Sequence, residues 1–402
     1  MQLKSGLPYW FVKSGLLFSY QKLTESITTD VAIIGAGISG ALTSFDLKKN
    51  NVDCVILDAR TVALGSTCAS TSLLLYEIDT SLVKLIDRIG EKNALRTYEL
   101  GVHAVHRLKE IAGEIKSSGV EMKNSIYLAN SRRDEAFLCK EYKLRKEFGF
   151  KVEWLSAKKL KEVYGILAPC GILSSDAAET DSYLFTHQLL QFGLKRGLKV
   201  FDRTKVTRIR YRKNNVVLET EDGFTVTANK IIFATGYETV SRIENKLVKL
   251  YTTFVTTSEQ IYSAGELLKE DCVIWNTSDP YLYIRSTPDN RIMIGGRDEP
   301  FYDLKRAEKI IEKKSKQLIG DFKKIFPNSD FKSEFNWSGV FAETKDGLPY
   351  IGSQRKYPNS YFALGFGGNG ITFSAIAAEI ITDLILGREN SDAELFSFHR
   401  KN

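Results

Sequence analysis

The sequence predicts a mixed α/β fold, α+β overall: a parallel-sheet unit threaded through the chain and interleaved with a second unit on an antiparallel sheet. Three observations predict it. A strand, glycine turn, helix and second strand follow one another from Asp30 to Arg60. Glycine-punctuated strand ends of the same kind recur far down the chain, at 231–237 and 337–371. Between them lie β-branched and aromatic runs joined by short turns, the habit of an antiparallel sheet. The 402 residues, 43% hydrophobic and 26% charged, exclude a single small module and wholesale disorder. Only 8 residues are proline and no Gly/Ser/Pro-rich linker occurs, so the units are expected to pack together.

The first unit begins with VAII, a short buried-strand run, followed by GAGISG. ALTSFDLKKN then has helical spacing and VDCVILD is a second β-branched run, so the pair calls for parallel strands. Helical patterns follow over Ser81 to Ile115, within Lys123 to Ile172 (EAFLCKEYKLRKEF), and over Ser182 to Gly197, the last ended by glycine. Strand-like runs KVFDRTKVTRIRYR, NVVLETEDGFTV and KIIFATG come next, with hairpin signals near Asn214 and Gly223. KLYTTFVTTSE, PYLYIRST and RIMIGGRDE read as the separate antiparallel sheet, the last two flanking a turn at Pro288–Asn290. A final strand, glycine loop and helix run from Asn359 to Gly387.

Gly35, Gly37 and Gly40 form G-x-G-x-x-G around Ile38 and Ser39. The first glycine permits a tight turn, the second lets a pyrophosphate approach the backbone, and the third lets helix and strand pack closely. The helix start offers free N–H groups and a partial positive charge to phosphates. Asp58, followed by Ala59 and Arg60, ends the next strand about twenty residues on, where a carboxylate grips ribose hydroxyls and repels a 2′-phosphate. This Rossmann-like module alone leaves NAD and FAD both open. The remaining glycine motifs favour the longer ligand. Thr235 and Gly236 follow a distant strand, and Gly367, Gly368, Asn369, Gly370 and Ile371 open the last helix. A second set of backbone donors there suits a flavin whose reduced ring carries negative charge.

GAGISG with Asp58, GSTCASTSLL, IIFATGYE, IMIGGRDE, TKDGLPYIG and GFGGNGI, in this order, resemble the D-amino-acid oxidase, glycine oxidase and sarcosine oxidase superfamily over about residues 29–388. The resemblance implies FAD, a substrate domain on an antiparallel sheet, and oxidation of a C–N bond in an amine or amino acid. It implies that Gly65, Ser66, Thr67 and Ser70 wrap the flavin and pyrophosphate, and that Val206 bonds adenine. It implies too that Gly236 closes over the ribose–phosphate region, and that Asp346, Gly347 and the 367–371 loop hold the ribityl and ring. Asp58 stands where the family often has Glu, and Ala69 where some members attach FAD through His; Cys68 beside it offers a thioether as the alternative to non-covalent FAD.

The expected domains follow. Residues 29–120, 172–240 and 337–388 form the FAD domain, and 121–171 and 241–336 the substrate domain. Residues 1–28 are an N-terminal extension and 389–402 a tail.

Tyr281, Tyr283 and Arg285 alternate, so they face one side of a strand. On the flavin side they would line the substrate, with Arg285 pairing a carboxylate; the alternative is a cross-strand surface row. Tyr251, Phe254, Trp275, Phe341 and Tyr350 are further aromatic candidates. A rival activity is dehydrogenation of a 2-hydroxy acid or polyol with electrons passed to a quinone or another carrier, O2 being the other acceptor.

The net charge of +7 draws anionic small molecules. The basic run Lys305–Phe326 reads as a solvated helix face, not a nucleic-acid surface. Five scattered cysteines point to a reducing compartment, and no signal peptide, transmembrane span or metal site is expected, so the protein is placed in the cytoplasm. The oligomeric state is left open.

Overall fold

The computed structural model describes residues 3–117, 119–241, 247–261 and 268–400. Two sheets organise it. The first runs in the order Tyr350–Gln354, Tyr357–Leu364, Thr225–Phe233, Ile27–Ile34, Cys54–Leu57 and Lys199–Phe201. All its pairings from Tyr357–Leu364 to Lys199–Phe201 are parallel, as the Asp30–Arg60 pattern requires. Val31, Ala32 and Ile33 are buried side by side, because helices Ile38–Lys49, Ser182–Leu194 and Gly370–Leu386 pack on this unit. The hairpin Val206–Tyr211 and Val216–Thr220 extends it antiparallel from Thr225–Phe233.

The second sheet runs Lys4–Gly6, Ser333–Thr344, Val248–Ser258, Ile292–Pro300, Tyr283–Ser286, Val273–Asn276, Val120–Leu128, Cys170–Thr180 and Leu73–Leu74. It is antiparallel apart from one parallel pair, Val273–Asn276 with Val120–Leu128. The basic helix, Leu304–Ile325, covers it with Ala307, Ile311, Leu318, Phe322 and Ile325, one apolar stripe, and leaves its lysines outward except Lys314, which turns in over the Phe254 ring.

The boundaries differ from expectation in three places. Lys4–Gly6 is an edge strand of the second sheet, so this part of the expected extension is built into the fold. Cys170–Thr180 and Ser333–Thr344 lie wholly in the second sheet, each crossing a boundary expected near its end. A strand's own residues do not say which sheet it joins. The helical stretch from Ser81 divides into Leu82–Ile89 and Glu91–Glu114 at Gly90, whose φ of 81° no other residue adopts readily.

Candidate active site

A cavity of about 600 Å³ runs between the two sheets. At one end the strand Ile27–Ile34 turns sharply into the helix Ile38–Lys49. Gly35 takes φ 108° with Ala234 O at 2.5 Å from where a Cβ would stand. A Cβ on Gly40 would collide with Gly35 O, so this glycine serves helix–strand packing and is not a lining residue. Gly37, Ile38 and Ser39 do line the cavity. No side chain caps the helix at Gly37, and the Ile38 N–H donates to Thr67 Oγ1 at 3.1 Å. The Ser39 hydroxyl meets Ser374 Oγ at 2.6 Å, joining the starts of the two long helices.

Asp58, Ala59, Arg60, Val206, Thr235 and Gly236 surround the same end. Asp58 accepts the Ala36 N–H at 2.7 Å and the Arg60 N–H at 2.8 Å. Burial pushes its carboxyl above the usual range, and these two donors with the Arg60 charge oppose that rise. Each oxygen keeps a lone pair for a ribose hydroxyl. Arg60 holds Glu238 through two bonds of 3.0 Å.

The middle is walled by Gly65, Ser66, Thr67 and Ser70. Ser66 Oγ is buried there without a hydrogen-bond partner among the described residues. This segment is clamped from behind: Trp337 Nε1 donates to Ala69 O at 2.9 Å and Trp10 Nε1 to Ser70 O at 2.8 Å. Cys68 is not a lining residue; its thiol donates to Gly65 O at 3.3 Å, and burial pushes it up to about 11. The thioether alternative is corrected accordingly, because the thiol points into the core.

At the far end Gly367, Gly368, Asn369, Gly370 and Ile371 line the cavity at the start of helix Gly370–Leu386. The Gly368 N–H donates to Asp79 Oδ2 at 2.6 Å, and Asn369 Nδ2 to Glu77 O at 2.9 Å. Asp346 and Gly347 are not brought to the cavity. Arg400 binds Asp346 at 2.6 and 2.9 Å, and a Cβ on Gly347 would strike Thr80. That turn is closed on itself and locked by the C-terminal arginine, which corrects their expected contact with the ring.

Tyr281 and Tyr283 line the far end, their rings 5.8 Å apart. Arg285 does not reach it. Its guanidinium is 1% exposed and donates to Thr71 O, Ser72 O and Thr180 O at 3.1, 3.2 and 2.8 Å. It pairs with Glu179 at 3.1 Å and lies over the Trp10 ring at 5.1 Å. The expected carboxylate-binding arginine is thereby corrected to a clamp on the cavity wall, since the 70–72 segment covers that part of the strand. Trp275 and Phe341 line the cavity; Tyr251, Phe254 and Tyr350 do not.

Sequence reasoning missed Asp79, Asp298 and Thr253, which also line the far end. Tyr281 OH donates to Asp79 Oδ1 at 2.8 Å, and Thr253 Oγ1 meets Tyr283 OH at 2.8 Å. Asp298 lies in the quoted IMIGGRDE run, the one signal that could have drawn attention to it.

A glycine-led helix start, a buried carboxylate, a hydroxyl without a partner among the described residues and a second glycine loop thus follow one another along one cavity, which fits an elongated dinucleotide. The model of the DAO family, FAD dependent oxidoreductase, matches residues 30–384. This chain belongs to that family. Its cofactor is FAD, and it is an oxidoreductase. Relatives include a glycine oxidase from Geobacillus kaustophilus, 24% identical over 92% of this chain and 97% of the relative. Another is a gamma-glutamylputrescine oxidoreductase from Escherichia coli, 24% identical over 96% of this chain and 90% of the relative. The fold is that of the solved Geobacillus kaustophilus glycine oxidase, with a TM-score of 0.77, 21% identity, and 93% and 99% of the two chains covered. Among the described residues no helix is long and apolar enough to cross a membrane.

Proposed function

We propose that this enzyme oxidises the C–N bond of an amine or amino acid, with FAD held non-covalently. Gly37, Asp58, Ser66, Thr67 and Gly367–Ile371 would hold the cofactor. Bound FAD supplies a two-electron acceptor for hydride loss from the carbon beside nitrogen, and water hydrolyses the resulting imine. The chain contributes alignment and electrostatics. Thr253, Tyr281 and Tyr283 form a polar aromatic wall that orients the substrate, and the buried cavity limits water around it.

The observation that carries this reading is the far end itself, where the carboxyls of Asp79 and Asp298 stand ready to accept the N–H bonds of an amine. The names of the two relatives, a glycine oxidase and a glutamylputrescine oxidoreductase, support it. The acceptor of the electrons is O2 or a carrier. Five free cysteines support a cytoplasmic setting.

Anaerobic flavin bleaching across a panel of amines, amino acids and hydroxy acids tests the proposal. Bleaching by amines or amino acids with release of carbonyl product and free amine is expected. Bleaching by hydroxy acids or polyols alone would replace this reading with the dehydrogenase of those substrates.

A further inference from the structure

The cavity's far end is anionic and aromatic. Asp79 and Asp298 share it with Trp275, Tyr281, Tyr283 and Phe341. Trp275 and Tyr281 meet edge to face at 6.3 Å, and Tyr127 stacks behind Trp275 at 3.6 Å, so the wall is rigid. Asp298 Oδ1 is buried with no hydrogen-bond partner among the described residues.

Among the described residues no cation forms an ion pair with Asp79 or Asp298, and Lys314 acts on Asp298 only through space. Among the described lining residues the cations are Arg60 and Lys205, both at the nucleotide end, where they pair with Glu238 and Glu221. Cations on the surrounding elements are committed elsewhere. Arg285 binds Glu179, Arg297 binds Asp321, and Lys314 binds Glu299 at 2.7 Å. Arg88 donates to Thr80 Oγ1 at 3.1 Å. An α-carboxylate placed here would be buried beside two carboxyl groups, with no cation among the described lining residues at this end to pair with it, which is unfavourable. An ammonium meets the opposite situation. The carboxylates attract it, and each aromatic face adds to that attraction.

We propose that the far end is an alkylammonium site, in which Asp298, Asp79 and the Trp275–Tyr281–Tyr283 wall receive a cationic nitrogen of an amine whose reacting carbon carries no carboxylate. The assignment deepens the amine-oxidising reading and rests on it for calling that amine the substrate. Burial above all, with Asp79 and Glu343 nearby, pushes the Asp298 carboxyl up to about 7, while Thr253 and Lys314 oppose the rise. A bound cation restores the carboxylate.

The test is a titration of the FAD-loaded enzyme, followed by calorimetry and by the flavin absorbance. Tetramethylammonium, which cannot form an imine, and 1,4-diaminobutane are set against acetate and glycine. Both cations are expected to bind at least tenfold more tightly than acetate or glycine, and Asp298→Asn to weaken tetramethylammonium at least tenfold. Acetate or glycine binding as tightly as the cations overturns the assignment, and this wild-type comparison stands whether or not the variant folds. If no donor bleaches the flavin while tetramethylammonium still binds, the catalytic reading fails and the site stands. If glycine bleaches it and tetramethylammonium does not bind, the site fails and the catalytic reading stands.

Discussion

Replacing Arg285 tests its role as a clamp on the cavity wall, which the structure sets in place of the substrate-carboxylate pairing and the cross-strand surface row that the sequence left open. Arg285→Met keeps the length and apolar stem but removes the guanidinium. In the structure that group donates to four carbonyls, of Thr71, Ser72, Thr180 and Ser286, and pairs with buried Glu179. Glu179 keeps only Lys123, at 3.5 Å, as a countercharge. Breaking a buried pair from one side costs about 3–5 kcal/mol, mostly through the stranded partner. For 402 residues the unfolding entropy is about 0.8 kcal/mol/K. The expected fall in the melting temperature of the FAD-loaded enzyme is therefore about 4–6 °C. Because Thr71 and Ser72 line the cavity, FAD affinity should fall as well, while KM at saturating FAD stays within about twofold. Thermal melts, flavin titration and steady-state kinetics read the three quantities. A variant that melts like the parent and raises KM tenfold would refute the clamp and return Arg285 to the substrate.

Other outcomes follow from the same geometry. Gly40→Val drives a side chain into Gly35 O, and the protein should purify colourless or fail to fold, as read by its flavin absorbance. Asp58→Asn leaves one acceptor where two backbone N–H groups now bond, so flavin titration should show FAD weaker by about tenfold, about 1.4 kcal/mol. Cys68→Ala should retain full flavin, and acid precipitation of the parent should release all yellow colour. Tetramethylammonium affinity should rise with pH through about 7, because the Asp298 carboxyl is neutral below that value and charged above it. Asp79, Glu343 and Lys314 set the midpoint around it, and a flat calorimetric profile from pH 5.5 to 8.5 would contradict this assignment.

The nucleotide half of the site was legible because its chemistry is local. Gly35, Gly37 and Gly40 sit within six residues, and Asp58 ends the adjacent strand, so spacing alone reports a turn, a helix start and a carboxylate. Motif order located the 65–70 and 367–371 segments. It misled at Asp346 and Gly347, because motif order does not report that Arg400 seals their turn. The alternation of Tyr281, Tyr283 and Arg285 names a strand face but not what covers each part of it. That cover is the 70–72 segment, about two hundred residues earlier.

The sequence by itself determined the fold class, the dinucleotide turn and the interleaving of two units, since these rest on periodicity and short glycine patterns, and the resemblance of its ordered motifs pointed to the FAD family. Only the tertiary structure decided which strands join which sheet and what lines the far end of the cavity. Asp79 arrives from a loop, and Thr253, Trp275, Tyr283 and Asp298 from four separate strands. No residue among them carries a local signal of its partners. Their charge and aromatic faces become one environment only when the sheet pairs these strands side by side and burial withdraws water from the space between.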